Sequence, residues 1–212
     1  VKSSKEGQKV KAIAEVVASS ITGLVAESWQ KGGEDGLPSA ARPGFGTFLR
    51  AASEEDETSV FAVVYNVLTA PLDSNHKPSA LGLTREQLKL EQPQIFALLR
   101  TEIHAVTVGF AENARIFRHL PPRPPQVHDF VYPLTDGEIE AVTANLDFLS
   151  LVAGVTAVPA DELLAATIRE AYRARGADYT FLVEAGKTLA RLFRDDYDRL
   201  VTVLKCIKPV QI

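Results

Sequence analysis

The 212-residue chain contains no methionine, not even at position 1, and a single cysteine, Cys206. A lone cysteine forms no internal disulfide, which fits a reducing compartment and a cytoplasmic location. The missing methionine points to a start that is processed or truncated. Positive charge is also short. With 23 Lys and Arg against 27 Asp and Glu, the formal charge of −4 argues against a nucleic-acid partner, because phosphate binding needs an excess of basic residues. No apolar run approaches the ~18 residues of a membrane span, no signal-peptide pattern opens the chain, and no solenoid-like repeat runs through it. What remains is an ordinary globular composition, 46% hydrophobic and 24% charged, which is enough to bury a core.

The texture of the sequence changes at Pro121-Pro122-Arg123-Pro124-Pro125. Before it, short β-rich runs alternate with turn residues. Val and Ile over Ala14–Ala18 and Gly23–Trp29 suit strands, and Gly44–Ala52 reads as a third. Val60–Leu68 is a continuous apolar run, expected to be a strand buried on both faces. Ile103–Phe110 and Ala114–Leu120 read as a hairpin. A helical insertion opens with the capping box at Thr84 and Gln87, breaks at Pro93 and resumes over Gln94–Leu99. Six strands with no spare edge are best closed into a barrel.

After the prolines the period becomes helical. Thr135 and Glu138 form a capping box ahead of Ile139, Val142, Leu146, Leu149 and Val152. Leu164, Ile168, Ala171 and Tyr172 form a second stripe ended by Gly176. Asp178 caps a last stripe from Leu182 through Leu189 and Leu200 to Leu204, a helix roughly 40 Å long at 1.5 Å per residue. The predicted fold is therefore α+β: a six-stranded small β-barrel with a helical insertion, then a three-helix domain. The predicted boundaries are a flexible arm at 1–12, the barrel at 13–120, a proline-rich linker at 121–134 and the helical domain at 135–212.

No complete catalytic motif is present. Gly186-Lys187-Thr188 matches the end of a P-loop, but Phe181 stands where the first glycine is needed and the segment reads as mid-helix. His76, His104, His119 and His128 lack the i, i+4 spacing of helical zinc ligands. Glu184, Asp195, Asp196 and Asp198 alternate with Arg191, Arg194 and Arg199 as in a solvated ionic face. No nucleophile elbow occurs, and Cys206 reads as a partly buried, inert thiol. The one constellation that an enzyme reading offers is Glu102, His104 and His119 facing Asp129. A single-stranded nucleic-acid reading offers Phe48, Tyr65, Phe110 and Phe117 as stacking faces. Catalytic residues, metal ligands and cofactors are accordingly expected to be none.

Gly44-Phe45-Gly46-Thr47-Phe48-Leu49-Arg50, Val63-Val64-Tyr65-Asn66-Val67 and, after a long loop, Ala80-Leu81-Gly82-Leu83 look like the HAS-barrel family. This small β-barrel is shared by hexameric DNA-translocating helicases and rotary ATP synthase subunits. Thr101-Glu102, the proline run Leu120–Pro125 and Asp195–Leu200 further resemble stand-alone bacterial members, associated with cyanobacteria. In the large ATPases the barrel is a docking element beside a P-loop domain, which this sequence lacks. The resemblance therefore implies assembly or partner binding and transfers no catalytic residue. The expected partner is a protein complex. The residues expected to present to it are Tyr179, Leu192 and Tyr197 on the last helix, with Pro122 and Pro125 on the polyproline run.

Overall fold

The computed structural model describes residues 11–29, 31–32, 38–39, 42–53, 57–72 and 79–207. The basic arm before Lys11, the acidic turn at 54–56, His76 and Lys208 lie outside the described residues. The strands are β1 (Ala14–Ser20), β2 (Gly23–Ser28), β3 (Lys31–Gly32), β4 (Pro38–Ser39), β5 (Phe48–Ala52), β6 (Thr58–Pro71), β7 (Leu99–Glu112), β8 (Arg115–Phe117) and β9 (Phe130–Pro133). The helices are α1 (Arg85–Glu91), α2 (Gln94–Ala97), α3 (Asp136–Val142), α4 (Leu149–Ala153), α5 (Ala160–Ala174), α6 (Tyr179–Leu192) and α7 (Tyr197–Ile207).

A closed six-stranded antiparallel barrel leads the chain and the helices follow it. Its strands run β2-β1-β9-β5-β6-β7, and the β2–β7 pairing, from Gly23 opposite Val106 to Ser28 opposite Thr101, closes the ring. The ring differs from the expected one in a single member. Ala114–Leu120 supplies only the three-residue β8, which extends from β7 outside the ring. The closing strand is β9, from the segment expected to be linker, and it sits between Ala14–Glu15 of β1 and Leu49–Ala52 of β5.

Barrel diameter explains the interior sequence. Eight strands leave a lumen just wide enough for side chains to fill, so six leave less. The interior is built from small residues, Ala14, Ala26, Ala51, Ala62 and Ala105, among Val16, Leu24, Leu49, Val64, Ile103 and Val131. Register shifts at Val17, at Tyr65 and opposite Phe61–Ala62 bend the strands enough to close the ring.

On β5, β6 and β7, residues between the interior ones face outward into another core. Phe48, Phe61, Val63, Val106 and Val108 join Ile139, Phe148, Leu149, Leu163, Leu164 and Leu189 in one apolar cluster. Phe48 of β5 meets Phe148 edge-on, with ring centroids 6.1 Å apart. This double use is why Val60–Val64 is buried without interruption. Helix α5 lies at the centre, with eight buried residues that leave it little polar face. Polar ties reinforce the junction: Arg50 of β5 reaches Glu138 of α3 at 3.2 Å, and Arg118 donates to the last carbonyls of α3, Ala141 and Val142.

Two of the three expected helices are divided. The first stripe breaks at Thr143–Phe148, where Thr143 donates its hydroxyl back to Ile139 and Asn145 Oδ1 accepts from the Asp147 amide. The last breaks at Phe193–Asp196. There Asp196 Oδ1 accepts from the Arg199 amide at 3.0 Å and starts α7 as an N-cap does. The break lets α7 fold back along α5, where Arg199 pairs with Asp161 at 2.8 Å.

Candidate functional site

Among the described residues, the most exposed leucines lie in a short arm that extends from the barrel. Strands β6 and β7 pair two residues past the ring, Ala70 opposite Arg100 and Pro71 opposite Leu99, and carry α1 and α2 between them. Helix α1 is well capped: Thr84 Oγ1 accepts from the Gln87 amide, and Gln87 Oε1 accepts from the Thr84 amide. Yet no residue of α1 is buried. Leu90 is 85% exposed, Leu98 59% and Leu72 54%, so the arm displays leucines that its own elements leave uncovered. Sequence reasoning placed the helix but did not anticipate that it is left without a buried face. The available signal was a seven-residue helix between a cap and a proline, too short to be stable without tertiary contacts.

The expected partner face lies at the other end. Tyr179 and Tyr197 are 72% and 73% exposed, while Leu192 is half-buried against the core. Tyr179 opens α6 and Leu192 ends it, about 20 Å apart at 1.5 Å per residue, so these side chains do not form one patch. Pro122 is exposed. Pro125 is buried, and its carbonyl accepts the Ser19 hydroxyl at 2.7 Å. The polyproline frame Pro122–Pro125 is thus clamped to β1 at one end, and Pro125 is not a presented residue.

The proposed acid–base constellation is divided. Glu102 sits between Arg100 and His104, at 3.2 and 3.4 Å, on the outer face of β7. His119 packs edge-on to Phe110 and Phe117 instead. Six residues of strand separate His104 from Phe110, roughly 20 Å, so the two histidines are not a pair. Asp129 uses its Oδ2 to accept the Gln126 amide. His128 Nδ1 contacts Glu15, whose other oxygen accepts from Trp29 Nε1 at 3.3 Å. Among the described residues, no group of three or more His, Cys, Asp or Glu is placed to hold a metal ion.

The remaining candidates are engaged structurally. Lys187 is mid-helix and bonds Glu184 at 2.7 Å, and Arg194 pairs with Asp195 at 3.0 Å. Phe48 and Phe110 are buried, and Phe117 stacks on Phe110 at 4.8 Å, so these rings offer no free stacking pair. Burial, then a hydrogen bond to Glu162, pushes the Cys206 thiol above its ordinary value, away from the reactive thiolate. Burial lowers the Arg175 guanidinium, which lies over the Phe181 ring at 4.3 Å. Hydrogen bonds from the Thr180 hydroxyl and amide hold the Asp178 carboxyl below the usual carboxylate range. Among the described residues, no helix is long and apolar enough to cross a membrane. Compared with known proteins, the chain matches no family model and no curated protein.

Proposed function

We propose that this chain is a non-enzymatic assembly or regulatory factor that docks on a larger protein complex. The observation that carries the reading is the arm: a capped helix with no buried residue that leaves its Leu90 in the open, with Leu72 and Leu98 of the same arm also exposed. Exposed apolar residues gathered on one projection mark contact surfaces in soluble proteins. The tyrosines at the starts of α6 and α7 offer a second, smaller contact. A relationship to stand-alone bacterial HAS barrels belongs to this proposal, and the closed six-stranded ring supports it. So does a cytoplasmic setting, in keeping with the single free cysteine.

The test compares the wild-type chain with Leu90→Glu/Leu98→Glu and Tyr179→Ser/Tyr197→Ser variants, each cross-linked in its native cell extract. The expected result is one stoichiometric protein partner, lost from the arm variant while its thermal midpoint is unchanged. A wild-type chain recovered alone, or a partner retained by both variants, refutes the reading.

A further inference from the structure

A cavity of about 590 Å³ opens where the barrel meets the helices. The tip of the β1–β2 hairpin forms one wall, Val106 and Thr107 of β7 another, and the α4–α5 link around Gly154–Thr156 a third. Its volume lies within the range of sites for small organic ligands, and junctions between structural units are where such sites concentrate.

Two features define what fits. None of the lining residues is charged, although 24% of the chain is. A charged ligand entering the cavity would lose its hydration and gain no counter-charge. The polar groups are hydroxyls set among aliphatic side chains such as Leu24 and Leu151. Three of these hydroxyls are already used as donors, Ser19 to the Pro125 carbonyl, Ser20 to the Gly23 carbonyl and Ser150 to the Asp147 carbonyl, which leaves them lone pairs to accept with. Thr156, exposed at the rim, offers a further hydroxyl to a ligand oxygen.

We infer that this cavity is a binding site for a small uncharged ligand with an apolar body and a hydroxyl-bearing head, held by the hydroxyls of its rim. The inference is independent of the arm, because the two surfaces share no residue.

The probe is n-hexyl-β-D-glucoside, titrated into the ¹⁵N-labelled full chain to about 10 mM, which detects affinities down to millimolar. Hexanoate and hexylammonium serve as charged counterparts with the same tail. Amide shifts are expected at Thr22–Val25, Val106–Thr107 and Leu151–Ala157 with the glucoside and not with either ion. Thr156→Val is expected to weaken binding about three- to tenfold, the loss of one hydrogen bond, while Thr156→Ser keeps it; Thr156 is exposed at the rim, so both variants are expected to fold. No shift at the highest concentration, equal binding of the ions, or an affinity unmoved by Thr156→Val would overturn the assignment.

Discussion

Gly46 sits at φ +85° in the turn before β5, and a Cβ there would meet Ala166 Cβ at 2.7 Å and the Ala166 carbonyl carbon at 2.8 Å. Two independent penalties coincide, a left-handed backbone and a clash with the central helix. Gly46→Ala is expected to cost about 2–5 kcal/mol in urea unfolding, the sum of about 1–2 for the backbone and about 1–3 for overpacking. Gly82 is the control: its φ is +69° but nothing lies within 4 Å of its Cβ position, so Gly82→Ala should cost only about 1–2 kcal/mol. Equal losses would mean that the approach of the turn to α5 is not a constraint. Asp178 gives a pH-dependent case. Its folded carboxyl titrates below the unfolded value, so its cap contributes stability above the unfolded pKa near ~3.9 and loses it as pH falls through the folded pKa. Asp178→Ala should therefore be less stable than wild type at neutral pH and converge with it as the solution is acidified. A constant gap across that range would remove the carboxylate from the account.

At the scale of elements, legibility followed locality. The capping boxes at Thr84 and Thr135 were readable because all their atoms lie within four residues, and both form as expected. The run Val60–Leu68 was readable because burial on both faces leaves a continuous apolar imprint, although that burial ends at Val64 and beyond it Asn66 and Leu68 are exposed on the outer face. Strand β9 was not readable. Four residues ending in proline carry no period, and their place is set by pairing with β1 and β5, far earlier in the chain. The division of the last helix was written in the sequence as Asp196 three residues before Arg199, but the apolar stripe continued across it and masked the cap. The place of β9 in the ring is testable. Val131 is fully buried inside the barrel, and Val131→Ala should cost about 2–3 kcal/mol as a cavity in a core that cannot readily collapse. Val127, four residues earlier and 50% exposed, should tolerate alanine within about 0.5 kcal/mol. If the two substitutions cost the same in urea unfolding, the ring is not closed by this segment.

The whole molecule cannot be divided at the prolines. A cut before Pro121 removes β9 from the barrel, and a cut after it exposes Phe48, Phe61 and Val63, which form a single core with α3 to α7. The barrel has an interior core of its own, but the outer faces of β5, β6 and β7 share one apolar cluster with the helices, which also pack on one another. A chain built this way should unfold in one step. The sole tryptophan, Trp29, reports the barrel, because it meets Phe130 of β9 edge-on at 5.6 Å. The helices dominate the circular dichroism at 222 nm. Urea transitions followed by Trp29 fluorescence and by circular dichroism should share one midpoint and one slope. The sharper version uses Leu149→Ala. Leu149 is fully buried in α4, and its truncation should cost about 2–5 kcal/mol. That loss must appear undiminished in the Trp29 signal, although the substitution lies in a helix and the reporter lies in the barrel. A fluorescence midpoint that stays put while the dichroism midpoint falls would show two independent folding units, and the shared core would then contribute packing without cooperativity.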